Sequence, residues 1–352
     1  MVSGLVLLIG LILAFANGAN DNFKGVATIY GSRVARYGTA LAWATITTLA
    51  GAILSFLVAR GLIQAFSGRG IVDAAVMAHA RFPAVVALAA SLTVLAASRL
   101  GMPISTTHAI AGSLAGVAMV ACAGWGWLAA LGVAFLLPLV VSPVASLSLS
   151  WIATQFAPAR ADACVCVADA ATASGGTVPV ALTGTEKDCA AAGATPVVRT
   201  SRVLSAFHFV SAGAVGFMRG TNDTPKLMGV VAAAGVAADF SLAVIFALAM
   251  ALGGLVGARR VARTMSEQLT PMSPAQGTVA NMLTSGIVGA ASVCGLPVST
   301  THVSCGAIFG LGAARKELSL KWAGAVAGSW LFTLPVSAVS AVALWFALAF
   351  LD

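Results

Sequence analysis

Charge is scarce in this chain. Only 9% of its 352 residues are Asp, Glu, Lys or Arg, where soluble domains carry roughly a quarter. Set beside 59% hydrophobic residues and a mean hydropathy of +0.98, that shortage excludes a water-soluble globular domain. Strict polar–apolar alternation is also missing, which excludes an outer-membrane β-barrel. The first segment, Met-Val-Ser-Gly-Leu-Val, has no basic residue ahead of its apolar run, so a cleaved signal peptide is not expected. The one long polar stretch, residues 158–202, holds Cys164, Cys166 and Cys189 but no histidine. Three ligands fall short of a structural zinc site. Free thiols or loop packing are expected for them, since a disulfide would require an oxidising compartment. Cys122, Cys294 and Cys305 stand in apolar context and read as small hydrophobes.

What is present is a series of apolar stretches, near 2–19, 38–59, 83–98, 104–121, 127–152, 203–218, 227–236, 240–257, 276–293, 298–312 and 321–350. Most are about long enough to cross a ~30 Å hydrocarbon core at 1.5 Å per residue. The expected fold is therefore an all-α polytopic membrane protein of the cytoplasmic (inner) membrane type. In the polar stretch, Ala163-Cys-Val-Cys-Val167 and Thr177-Val-Pro-Val-Ala181 alternate, suggesting a small hairpin or an irregular linker.

Two motifs occur twice. Gly101-Met-Pro-Ile-Ser-Thr-Thr-His108 returns as Gly295-Leu-Pro-Val-Ser-Thr-Thr-His302, identical at six of eight positions and offset by 194. Gly112 and Gly116 follow the first copy as Gly306 and Gly310 follow the second. Gly18-Ala-Asn20-Asp21-Asn-Phe-Lys24 returns as Gly220-Thr-Asn222-Asp223-Thr-Pro-Lys226, offset by 202. The duplication divides the chain into a first repeat at 1–157, a polar loop at 158–202 and a second repeat at 203–352. Internal repeats meeting at one site are the plan of a secondary transporter. Arg33 and Arg36 follow the first span, whereas the matching connection near Ala237-Ala238-Asp239 has no base. Basic loops favour the cytoplasm, so the repeats are expected to be inverted, with the N-terminus outside. Arg60, Arg69 and Arg81 run against that pattern.

The repeated polar residues are the candidate site. Ionisable groups inside apolar spans are expensive and mark function by default; here they are Asp21, Lys24, Arg219, Asp223 and Lys226. The plainer reading makes Asp21–Lys24 and Asp223–Lys226 i,i+3 pairs that only tie helices together. Pro followed by Ser-Thr-Thr suits a helix start, and free amides with the dipole hold anions there. Ser105, Thr106 and Thr107 with Ser299, Thr300 and Thr301 are expected to converge on one tetrahedral oxyanion. The competing reading is plain N-capping by the serines. The glycines behind each tract are expected to let helices pack closely. His108 and His302 are candidates for a proton-linked role.

At these residues the chain resembles the inorganic phosphate transporter (PiT) family of phosphate permeases. The resemblance rests on Gly18-Ala-Asn20-Asp21, Gly220-Thr-Asn222-Asp223 and the two octapeptides, and it covers both halves. It implies inverted repeats with broken or re-entrant half-helices bearing the motifs. It also implies cation-coupled phosphate uptake and a homodimer in the bilayer, and a few relatives carry sulfate. Asn20, Asp21, Asn222 and Asp223 would serve a coupling ion, H+ or Na+, or balance charge; no other cofactor and no nucleic acid is expected.

The family pattern Asn-Asp-x-x-Asn departs here to lysine in both halves, Lys24 and Lys226. Two aspartates and a phosphate dianion repel by several kcal/mol without cations, and two ammoniums can supply that charge. The expected function is phosphate permeation that is proton-coupled or sodium-independent. A sulfate permease, a sodium-coupled symporter and an anion channel are the alternatives. An enzyme built on Ser105 with His108, or Ser299 with His302, lacks an orienting acid nearby in sequence.

Overall fold

The computed structural model describes residues 2–58, 60–156, 163–171 and 177–352. In the first half, α1 (Val2–Asp21) ends in a turn before the short α2 (Ala27–Gly31). Then follow α3 (Tyr37–Val58), α4 (Arg60–Phe66), α5 (Ala74–Met77), α6 (Arg81–Leu100), α7 (Thr106–Ala121) and α8 (Gly126–Leu131). A π-turn joins α8 to α9 (Leu137–Gln155). The second half has α11 (Thr200–Ala232), α12 (Phe240–Gly257), α13 (Arg259–Arg263), α14 (Pro274–Val293), α15 (Thr300–Arg315) and α16 (Leu320–Ala347). Among the described residues, seven helices are long and apolar enough to cross a membrane, including the run Gly126–Gln155. The chain is a multi-pass membrane protein.

Between the halves, β1 (Ala163–Ala171), β2 (Thr177–Thr185), α10 (Glu186–Ala191) and β3 (Thr195–Arg199) form a three-stranded antiparallel sheet, ordered β2-β1-β3. The hairpin suggested by the alternation is β1–β2, and among the described residues strands occur in this loop alone, the membrane part being all-α. The thiol expectation also needs correction, because Cys166 and Cys189 are joined in a disulfide. The helix α10 brings Cys189 back to β1, leaving the Cα atoms 6.1 Å apart, within the range a disulfide bridges.

Packing partners exchange between the halves: α1 lies on α12 as α11 lies on α3, and α7 lies on α16 as α15 lies on α9. Glycines set these contacts. A Cβ on Gly112 or Gly116 would sit 2.4 and 2.3 Å from the carbonyls of Leu334 and Ala338. On Gly306 or Gly310 it would sit 2.6 and 2.1 Å from those of Pro143 and Leu147. No side chain fits at such distances, so backbones touch, as small residues permit in membrane bundles.

Tyr30 Oη donates to Glu267 at 3.0 Å, Ser32 meets His208 at 3.3 Å and the Ser319 amide donates to Leu269 at 2.9 Å. These contacts define one end of the bundle. At the other end Asp352 pairs with His79 at 2.9 Å and Arg81 at 2.7 Å, and the Ala123 amide donates to Asp73 at 3.0 Å. The first end carries Arg33, Arg36, Arg259, Arg260, Arg263, Arg315, Lys316 and Lys321 against Glu267 and Glu317. At the second, Arg60, Arg69 and Arg81 are balanced by Asp73, Asp239 and Asp352.

One motif does not lie on a broken helix. The first Asn-Asp element ends α1 and turns through Asn22–Val26, whereas the second runs inside the unbroken α11, across Pro225. The first copy is followed by Gly25, which turns where a Cβ would meet the Gly216 amide at 2.8 Å. The second copy has Leu227 there, and the helix continues.

Candidate functional site

Each octapeptide is a stop, a break and a start. Gly101 and Gly295 have φ of +72° and +68°. The Met102 amide reaches back to Ala97 O and the Leu296 amide to Ala291 O, both at 2.9 Å, a Schellman closure that glycine allows. Pro103 and Pro297 follow, without amides to continue a ladder. Ser105 and Ser299 then cap the new helices, accepting from the amides of His108 at 3.1 Å and His302 at 3.2 Å. The carbonyls of Ile104 and Val298, between stop and start, belong to no helix.

Both lysines fill those carbonyls. Lys24 Nζ donates to Ile104 O at 2.7 Å, Asn20 Oδ1 at 2.9 Å, Asp21 Oδ1 at 2.5 Å and Thr301 Oγ1. Lys226 Nζ donates to Val298 O at 2.7 Å, Thr107 Oγ1 at 2.9 Å and Asp223 Oδ1 at 3.2 Å. Ile104 matches Val298 at the 194-residue offset, and Thr107 matches Thr301. Each ammonium therefore takes a carbonyl from its own half and a hydroxyl from the other. Asn20 and Asn222 brace the same turns, bonded to Ser98 Oγ at 3.0 Å and by Ser292 Oγ at 3.1 Å.

Two further residues close the cluster. Asn17 Nδ2 lies 3.2 Å from Asp21 Oδ2, 3.2 Å from Asp223 Oδ2 and 3.0 Å from Thr106 Oγ1. Arg219 donates to Asn17 Oδ1 at 2.6 Å, Asn22 Oδ1 at 3.1 Å and Thr48 Oγ1 at 3.2 Å, and its Nε is 3.4 Å from Asp223. Asp21, Lys24, Arg219, Asp223 and Lys226 are each at most 3% exposed. Ions buried so deeply persist only when paired and hydrogen-bonded. Three cations face two carboxylates, so the cluster carries one formal positive charge beyond balance.

Arg219 stands out in the sequence as a charge in an apolar span, whereas Asn17, outside the repeated motif, does not. Asn17 and Arg219 occupy one position, 202 residues apart and four before each aspartate; extending the repeat by one turn would have found both. Thr300, the first residue of α15, is buried. The His108 ring meets the His302 ring at 4.5 Å, and His302 lies on Trp330 at 4.1 Å. His108 Nδ1 and His302 Nε2 are buried without partners. Each serine oxygen accepts from a histidine backbone amide, which is the geometry of an N-cap.

A family model described as the phosphate transporter family matches residues 17–341. The chain is 28% identical to a probable low-affinity inorganic phosphate transporter of Rhizobium meliloti (strain 1021), covering 97% of this chain and 96% of that one. It is 27% identical to the protein of the same description from Bacillus subtilis (strain 168), covering 98% and 96%. A solved structure titled "The sodium-dependent phosphate transporter" shares the fold, with a TM-score of 0.78 at 21% identity over 99% of both chains. These relatives are transporters, not enzymes. With the family model spanning most of its length and the paired motifs meeting at one buried cluster, the chain belongs to the phosphate transporter family.

Proposed function

We propose that this protein is a secondary transporter of inorganic phosphate in the cytoplasmic membrane, working without sodium and coupled to protons or to anion exchange. The observation that carries this reading is the seating of Lys24 and Lys226 in matched cradles of carbonyl, hydroxyl and carboxylate oxygens. Such oxygens suit a hard cation, and here ammoniums occupy them. With Arg219 they give the cluster its surplus positive charge. A phosphate monoanion brings the set to formal neutrality, whereas a dianion needs one accompanying proton.

In this reading the halves are inverted repeats, and the arginine-rich end faces the cytoplasm, which puts the N-terminus outside. Lys24 and Lys226 attract the phosphate by charge, and its oxygens accept from Arg219 and from the first-turn amides of α7 and α15, which have no partner within their helices. Thr106, Thr107, Thr300 and Thr301 line that position, and Ser105 and Ser299 hold the first turns in shape. Asn20, Asp21, Asn222 and Asp223 orient the cations. His108 and His302, in ring contact, are the proton-linked pair. The functional unit is a homodimer in the bilayer.

Reconstituted protein should take up radiolabelled phosphate, with competition by arsenate. Uptake competed only by sulfate would make it a sulfate permease. The solved structure sharing this fold is of a sodium-dependent phosphate transporter, which favours a second reading, in which the lysines withdraw and sodium enters beside Asp21 and Asp223.

A further inference from the structure

Two clefts outside the buried cluster share part of their walls at matching positions of the two halves. One, of about 520 Å³, is walled by Leu54, Leu57, Phe217 and Phe240 among others, all apolar. The other, of about 650 Å³, includes Phe15, Val256, Arg99, Arg259, Arg260 and Arg263. At the 202-residue offset Phe217 corresponds to Phe15, Leu54 to Val256 and Leu57 to Arg259. At the matched position Leu57 lines the apolar cleft where Arg259 lines the cationic one, so packing does not call for Arg259.

No acid lines the cationic cleft. Arg260 donates to the Arg99 carbonyl at 2.5 Å, which holds the two segments together. Arg263 lies 3.5 Å from Glu267, but both are well exposed, and exposed pairs are weak. Arg259 stands 6.0 Å from the Tyr37 ring. Ser98 also lines the cleft, and its hydroxyl accepts from Asn20, whose Oδ1 accepts from Lys24. One asparagine side chain thus separates the cleft from the buried cluster.

We propose that this cleft is a second anion site, which binds a phosphate group at the arginine-rich end of the bundle, adjacent to the central cluster. Guanidinium forks match the oxygens of a phosphate group in pairs. A cationic cleft with low-dielectric walls also concentrates anions at its mouth. Orthophosphate and the headgroup of an acidic phospholipid share this chemistry. The effect on transport rests on the phosphate-transport reading above, whereas binding of the phosphate group does not.

The test compares wild type with R99Q/R259Q/R263Q and with the charge-retaining R99K/R259K/R263K, each reconstituted in one orientation and assayed by phosphate exchange. In phosphatidylcholine vesicles the glutamine variant should need about tenfold more phosphate for half-saturation on the arginine-rich face. The opposite face and the maximal rate should stay unchanged, and the lysine variant should recover most of the loss. If phosphatidylcholine shows no difference, but phosphatidylglycerol stimulates wild type and not the glutamine variant, the bound group is the lipid headgroup. Equal behaviour of wild type and glutamine variant on both faces and in both lipids overturns the proposal, as does an equal change at both faces. Absence of phosphate exchange in the wild type overturns the transport reading instead. Protection from thermal unfolding by orthophosphate, present in wild type and lost in the glutamine variant, then decides the cleft separately.

Discussion

Asn17 and Arg219 stand at the same place in the two halves, 202 residues apart, and are hydrogen-bonded to each other, Nη2 to Oδ1 at 2.6 Å. Two otherwise similar halves thus meet through a neutral amide on one side and a cation on the other. That difference turns two balanced Asp–Lys pairs into a cluster with surplus positive charge. It also fixes both aspartates, since Asn17 touches both and the Arg219 Nε lies 3.4 Å from Asp223.

Replacing Arg219 by Gln should therefore do two things. Breaking a buried charge network costs about 3–5 kcal/mol, visible as a lower thermal midpoint in detergent, and phosphate uptake should cease. Arg219→Lys keeps the charge but not the fork that reaches Asn17, Asn22 and Thr48 together, and should retain folding better than transport. An Arg219→Gln protein with normal melting and normal uptake would remove this residue from the site.

Asp21→Asn and Asp223→Asn should each abolish uptake while the protein still elutes as a folded species on size-exclusion chromatography. Each change leaves one ammonium without its carboxylate, although Ile104 O or Val298 O still accepts from it. Wild-type initial rates in either variant would reduce the pair to a helix tie.

Ser105→Ala and Ser299→Ala should act on stability more than on affinity, because each hydroxyl oxygen is engaged in capping. Loss of a cap costs about 0.5–2 kcal/mol, read as a fall in thermal midpoint. A large rise in half-saturating phosphate with unchanged melting would return the serines to the anion itself.

Much of this site is legible in the sequence because polar residues stand out in an apolar chain and the motifs are written twice. Lys24, Lys226, both aspartates and, from the Ser-Thr-Thr tracts, Thr106, Thr107 and Thr301 can be named that way, and these are bonded into one cluster. The serines' role is not legible, since a cap and an anion ligand use the same hydroxyl at the same position. Asn17 and Arg219 escape a search for identity because they differ in side chain while sharing a place. The break after Asp21 and the unbroken helix through Lys226 are not legible either, because the two copies differ there at Asn22 against Thr224, Phe23 against Pro225 and Gly25 against Leu227. The hairpin β1–β2 shows in its alternation, but β3 and the Cys166–Cys189 bridge depend on tertiary closure that three cysteines leave open.

The helix-to-helix glycines make a test of the packing independent of transport. A Cβ on Gly310 would lie 2.1 Å from Leu147 O, and one on Gly116 2.3 Å from Ala338 O. Gly310→Ala and Gly116→Ala should each cost about 1–3 kcal/mol, as overpacking does. A control change at Gly324, where nothing lies within 4 Å, should leave the thermal midpoint near wild type. Equal tolerance at all three positions would contradict the close contacts.

The central claim is that Lys24 and Lys226 stand where coupling cations would otherwise sit. It is tested most directly by the initial rate of phosphate uptake into proteoliposomes at fixed pH, in sodium-free and sodium-containing media of equal ionic strength. The account predicts equal rates in the two media. A steep requirement for sodium in the wild-type protein would contradict it.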